Sequence, residues 1–170
     1  MTTVPPLNDI YTKRLNELLT AEKKYLRCFL KLAAAAFTEE LRRGLSPALT
    51  DQEQHIERLQ QCKAMVKLKG AVPLPELDVL LLAQAEKTLK TSTKQTLSRD
   101  IEILHCSQTI LNVKIAAYQC LQQMAVALKQ DHAAILLEQC FKDDQNSSGY
   151  LTQIAQNIIY PNYEIQIGNA

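Results

Sequence analysis

Seven side chains spread along the chain are of the types that ligate metals, carry protons or pair as buried ions: Glu22, Gln52, His55, Lys114, Asp143, Asp144 and Ser147. Two of the spacings, Gln52-x-x-His55 and Asp144-x-x-Ser147, put both members on one face if the segment is helical. Carboxylates gathered with an imidazole are a ligand set for a divalent cation. Carboxylates gathered with an ammonium are an ion cluster, stable in a core only when each charge finds its partner. The choice between these chemistries turns on where Lys114 points.

Lys114 lies inside the apolar run "ILNVKIAAYQCL". At about 100° of rotation per residue, Ile103, Ser107, Ile110, Leu121, Ala125 and Leu128 fall within roughly 40° of it, while Glu102, Gln108, Thr109, Asn112, Gln119 and Gln123 take the far side. The lysine is therefore near the centre of an apolar face. Glu22 sits in the same way among Leu15, Leu18, Leu26 and Phe29. Gln52 and His55 share the side of Leu41, Ala48, Leu59 and Val66. Asp144 and Ser147 lie among Leu136, Cys140, Leu151 and Ile154, with Asp143 at the edge. Since a buried charge is tolerated when it is paired or bound to metal, one polar cluster shared by four helices is expected. The alternative is that rotation, or a kink at Pro47, carries Glu22, Lys114 and Asp144 to a rim where the lysine snorkels, leaving His55 simply hydrogen-bonded.

The elements that must position these groups are long helices. Helix formers dominate and few segments alternate with period two, so the fold class is all-α. A first helix is expected from Asn8 or Asp9 to Phe37, with Leu15, Leu18, Leu19, Leu26, Phe29, Leu30 and Ala33 on its apolar face. A second is expected from Thr38 to Leu68, broken at Ser46-Pro47. Gly70, Pro73 and Pro75 in "KGAVPLPELD" mark a loop, followed by a shorter crossover helix from Glu76 to Thr91. Ser98 is expected to cap a helix running to Gln130, and Asp131 to cap one ending near Pro161, leaving "NYEIQIGNA" extended or loose. Two antiparallel helical hairpins joined by a long connection make a ferritin-like four-helix bundle, here one domain over 1–170 with a core over about 8–160 and a tail over 161–170. No internal repeat supports an α-solenoid.

With 46% hydrophobic and 22% charged residues and a net charge of +1, the chain reads as globular, with no basic stripe for nucleic acid or anionic lipid. The N-terminal "MTTVPPLNDI" lacks the regions of a signal peptide and no apolar run is of spanning length, so a cytoplasmic protein without membrane attachment is expected. The five cysteines are odd in number, scattered and free of any CxxC pair, which argues against a disulfide framework or a zinc knuckle. There is no Gly-rich phosphate loop and no Gly-x-Ser-x-Gly, and His105 and His132 lack partners by spacing, so no residue is assigned a catalytic role.

The segments "LNELLTAEKKYL", "HIERLQQ", "SRDIEIL", "KIAAYQCL" and "LLEQCFKDDQNSSGYLTQIA", in this order over about residues 9 to 157, resemble the YciE/YciF-type ferritin-like family of bacterial stress-associated proteins. The resemblance implies a homodimeric bundle with a ferritin-like di-metal centre. The family pattern has an Ala-Glu on the first helix, a Glu before Ile-Ala-Ala-Tyr and a Glu-Glu pair on the last helix. This chain keeps Glu22 but has Lys114 for the third-helix acid, Leu111 one turn earlier, and Asp143-Asp144 for the final pair. On the second helix Ala48, Gln52 and His55 stand where the family usually has His, Thr and Gln.

A di-iron carboxylate centre uses about four carboxylates and two histidines, and an ammonium in its middle repels dications. The sequence thus leads to the expectation of a non-catalytic ferritin-like homodimer, structural or stress-associated. Its di-metal site is lost, no cofactor is bound, and Lys114 supplies the metal's charge. The alternative is a metalloprotein with one Zn, Mn or Fe on Glu22, His55 and Asp144. A helical adaptor unrelated to ferritins is the third reading.

Overall fold

The computed structural model describes residues 5–66, 70 and 72–168. Helix α1 (Leu7–Ala35) starts directly after Pro6 and stops where Ala36 turns extended. The second leg is in three pieces, α2 (Glu39–Gly44), α3 (Pro47–Thr50) and α4 (Gln52–Met65). The break at Ser46-Pro47 follows from proline, which starts a helix readily but cannot continue one. A second break, absent from the sequence reading, falls at Asp51, whose φ of 52° is left-handed. Aspartate is among the few non-glycine residues that visit this region, and its carboxylate accepts from Gln54 Nε2 at 3.3 Å. The expected end of this leg at Leu68 lies outside the described residues.

The crossover helix α5 (Glu76–Thr91) leads to α6 (Leu97–Ala127) and α7 (Asp131–Ile154), which pack as an antiparallel hairpin. The N-cap of α6 is Thr96 and not Ser98: the Thr96 hydroxyl accepts from Arg99 N at 3.2 Å, placing Ser98 inside the first turn. Asp131 is likewise the first residue of α7 and not its cap, where its charge complements the helix N-terminus. The turn between them closes through Lys129 at φ 57°, with Gln130 N donating to Ala125 O at 2.9 Å and Lys129 N to Val126 O at 3.0 Å.

Pro161 does not end the last helix. A π-helical turn, Ala155–Ile159, leads into α8 (Tyr160–Gly168). The proline thus falls in the first turn of α8, where its missing N–H is not needed. The segment expected to be extended or loose is helical through Gly168, although none of its residues is buried.

The chain is therefore an all-α, ferritin-like bundle in which no described residue is in a strand. No helix among the described residues is long and apolar enough to cross a membrane. On α1 the apolar face is skewed from the expected one: Leu30 is exposed, whereas Tyr25, Cys28 and Leu32 are buried. Helix α5 contacts α1, and its Leu81, Leu82 and Leu89 pack against the same cluster as Tyr25, Cys28 and Leu32.

Arg99 and Asp100, buried at the start of α6, tie the connections at this end of the bundle. The Asp100 carboxylate accepts from Phe37 N at 2.7 Å and Thr38 N at 2.8 Å, satisfying backbone donors at the corner between α1 and α2. The Arg99 guanidinium donates to Leu89 O at 3.2 Å and Ser92 O at 3.3 Å, where α5 ends. The apolar core has two parts. One surrounds Tyr25, Phe29, Leu41, Ile110 and Leu151; the other surrounds Tyr11, Leu15, Leu59, Leu121 and Leu137. Between the two lies a polar layer.

Candidate functional site

Each of the four long legs contributes to that layer near its middle: Glu22 from α1, His55 and Gln52 from α4, Lys114 from α6 and Asp144 from α7, all fully buried. Neighbouring turns of each helix carry leucine, isoleucine or alanine, so the helices dock on apolar contacts and the polar group at the same level is carried inward with them. Lys114 Nζ lies 3.0 Å from Asp144 Oδ1 and 3.2 Å from Glu22 Oε1. His55 Nδ1 stands 3.7 Å from Glu22 Oε1 and 3.8 Å from Asp144 Oδ1, near enough for electrostatic contact but too far for a hydrogen bond.

Asp143 is at the edge and part-exposed. Its Oδ2 is 3.5 Å from His55 Nε2 and accepts from Arg58 Nη1 at 2.6 Å. Gln52 and Ser147 are buried at the same level, but no hydrogen bond joins either to the ion cluster. Leu111, one turn before Lys114, is fully buried in the apolar half beside it.

Two participants were not singled out from sequence. Tyr118, one turn after Lys114, donates its hydroxyl to Glu22 Oε1 at 2.7 Å and meets the His55 ring edge-on, with centroids 5.5 Å apart. Arg58, one turn after Gln54 and His55, clamps Asp143 while also donating to Gln54 Oε1 at 3.0 Å. A further buried pair, Tyr25 donating to Asp78, joins α1 to α5 outside the cluster.

The two central carboxylates differ in acidity because their donors differ. Burial pushes Glu22 up, but Lys114, with His55 and Tyr118 beside it, overcomes burial and holds it down at about 2. Burial pushes Asp144 up to about 6, since Lys114 only partly offsets it and the Glu22 charge adds to the rise. Burial works against the Lys114 ammonium, yet Asp144 and Glu22 outweigh it and raise the lysine above its ordinary value. Burial and the Glu22 charge keep Tyr118 protonated, so it serves as a donor.

These residues do not fit a two-metal centre. They supply two central carboxylates, one histidine and an edge aspartate, where about four carboxylates and two histidines are needed, and the lysine occupies the space between the acids. A single cation is geometrically closer to reach: one ligand atom each from Glu22, His55 and Asp144 lie within 4.8 Å of one another. Glu22 Oε2, Asp144 Oδ2, both His55 nitrogens and both Gln52 amide atoms have no hydrogen-bond partner.

Residues 6–163 match the family model described as Domain of unknown function (DUF892). The protein YciF of Escherichia coli (strain K12) is 24% identical over 155 residues, covering 89% of this chain and 91% of that protein. The crystal structure of the E. coli stress protein YciF superposes with a TM-score of 0.82 at 26% identity, covering 92% of this chain and 97% of that one. A solved structure of YcfI from Rhodopseudomonas palustris gives a TM-score of 0.81 at 21% identity, covering 89% and 96%.

Proposed function

The chain belongs to the DUF892 family, and from that premise we propose that it is a non-catalytic, stress-associated ferritin-like protein of a bacterial cytoplasm, with an ion cluster in place of a di-metal site. One observation carries this reading: the Lys114 ammonium lies between Glu22 and Asp144, within 3.2 Å of both. A metal in that position would neutralise the two acids; the lysine neutralises them without redox or Lewis-acid chemistry. Removing a partner from such a buried pair leaves a bare charge in a low dielectric, so the lysine is needed for folding and not for turnover. A homodimer fits the same role, since α5 leaves Leu77, Val79 and Leu80 exposed to solvent among the described residues.

The competing reading is one divalent cation on Glu22, His55 and Asp144, favoured by their unpartnered oxygens and nitrogens. Against it stands the ammonium, which must lose its proton or swing away before a dication enters, and both acids hold that proton on. Elemental analysis of protein purified without chelator separates the two. Metal far below one per chain supports the ion cluster, while about one tightly held iron, manganese or zinc per chain overturns it.

A further inference from the structure

We propose that the cleft between the α1–α2 corner and the α5–α6 corner binds a small organic phosphate monoester, its phosphate held by Arg42, Lys94 and Arg99 and its carbon group laid against Phe37. The observation that carries this is the state of Arg99. It borders the cleft and is only 6% exposed, yet its hydrogen bonds go to backbone carbonyls alone: Nη1 to Ser92 O at 3.3 Å and Nη2 to Leu89 O at 3.2 Å, while Nε has no partner. A guanidinium offers five N–H groups, so most of them are unspent. Asp100, the next residue, turns its carboxylate to Phe37 N and Thr38 N instead, and no other acid among the described residues pairs with Arg99. A buried cation that meets only carbonyl dipoles lacks its counter-charge, and an anion brought to the cleft beside it supplies one.

The rest of the cleft fits such an anion. Its volume of about 590 Å³ is usual for a small-molecule site. Its charged lining has one sign, since Arg42 and Lys94 join Arg99 and neither Asp nor Glu lines it. Glu39, the acid beside Arg42, is exposed and shared with Arg43, at 3.2 Å from Arg42 Nη1 and 2.9 Å from Arg43 Nε. Arg42 Nη2 also donates to Ala36 O at 3.0 Å, which fixes its head at the end of α1. Lys94 is exposed and forms no ion pair among the described residues. A phosphate dianion asks for several charged N–H donors converging from different directions, and these three come from two corners of the fold. Phe37 decides between an ester and the bare ion. Its ring is 47% exposed on the wall of the cleft, next to the alanine run that ends α1, and gives an apolar carbon group a surface to cover. The cleft is separate from the polar layer: Lys114 is fifteen residues beyond Arg99, about 22 Å along α6.

The test is heteronuclear NMR of the isotope-labelled full chain, titrated at neutral pH and about 0.15 M salt with phenyl phosphate, inorganic phosphate and phenol. Phenyl phosphate should saturate one site with a Kd below about 1 mM, moving the Arg99 Nε–H signal and the amides of Phe37 and Lys94. Inorganic phosphate should bind about tenfold more weakly for want of the ring, and phenol should not bind measurably. Lys94→Glu should weaken phenyl phosphate about tenfold or more. Lys24→Glu makes the same charge change at another exposed lysine, ten residues before Ala34 and so about 15 Å away along α1, and should alter the affinity less than about twofold. Phe37→Ala should bring phenyl phosphate down to the affinity of inorganic phosphate. Both lysines are at the surface, so these variants keep the fold. No saturation by phenyl phosphate at about 10 mM, equal weakening by Lys94→Glu and Lys24→Glu, or phenyl phosphate bound no more tightly than inorganic phosphate or phenol would each overturn the proposal. None of these results bears on the ion cluster, which is tested by metal content and by Lys114→Met.

Discussion

Replacing Lys114 by methionine keeps the length and apolar stem of the side chain and removes only its charge and donors. In the parent the ammonium is fully buried, 3.0 Å from one carboxylate and 3.2 Å from another. Breaking a buried pair by removing one partner costs about 3–5 kcal/mol, and that is the loss expected for Lys114→Met at pH 7. The loss should shrink in acid. In the parent, Glu22 is held at about 2, so its contribution to stability is present above its ordinary value and is lost only as pH falls toward 2. Without the lysine, burial prevails at both acids and raises their folded-state values above the unfolded ones. The folded variant then binds more protons than the unfolded chain, and its stability rises as pH falls through those values. Each unit of raised pKa relieved by protonation returns about 1.4 kcal/mol; Asp144, already raised to about 6 in the parent, returns part of this there too, so the gap between variant and parent should narrow between pH 7 and pH 5 by the further rise that loss of the lysine adds at the two acids. Denaturant melts at both pH values measure it. A loss below about 0.5 kcal/mol at pH 7 would refute the pairing itself, and a loss that does not change with pH would refute the carboxylates as its cause.

Lys114→Glu adds a third carboxylate beside Glu22, Asp144 and His55; without metal it should be less stable than the parent and recover in acid. With Mn²⁺, Fe²⁺ or Zn²⁺ at a hundredfold excess over Kd it should gain about 2.7 kcal/mol in thermal melts while the parent gains little, and an equal gain in the parent would favour the single-cation reading. Tyr118→Phe deletes the hydroxyl that Glu22 accepts from and should cost about 1–3 kcal/mol; parent-like denaturant melts would show that Glu22 needs no second donor. Asp100→Ala removes the buried carboxylate to which Phe37 N and Thr38 N donate and should cost about 2 kcal/mol in thermal melts, whereas an unchanged midpoint would mean that water replaces the carboxylate. Light scattering at micromolar concentration should give a dimer mass, and charged substitutions at Leu77 and Leu80 should yield a monomer if α5 forms the interface.

The helices were legible where periodicity and proline agree. Pro47 starts a helix and Pro73 and Pro75 interrupt one whatever surrounds them, so the break in the second leg and the crossover from Glu76 to Thr91 could be read directly. Asp51 could not, because an aspartate in a helical pattern is compatible with either backbone basin until α4 is docked on α1 and α7. Thr96 and Ser98 are both good caps, and two residues decide between them only through the hydrogen bond to Arg99 N. Pro161 misled for the opposite reason: the rule that proline ends a helix has an exception in the first turn, and a π-turn just before it created one.

The inward direction of Glu22, His55, Lys114 and Asp144 could be read from wheels because each sits among apolar neighbours on its own helix. Tyr118 lies about 40° from Lys114 on the same wheel, but a tyrosine on an apolar face counts as apolar until its hydroxyl is seen to meet Glu22. Arg58 and Asp143 pair across two helices, and their meeting depends on an interhelical distance that no single-helix pattern contains. The dipeptide Arg99-Asp100 shows the limit most sharply. It forms part of the resemblance to the family, yet its partners are Phe37 N, Thr38 N, Leu89 O and Ser92 O, which are backbone groups. Every residue has such groups, so nothing in the identities of residues 37, 38, 89 and 92 announces that a charge is waiting for them. A side chain that serves backbone is visible in sequence only from its own end.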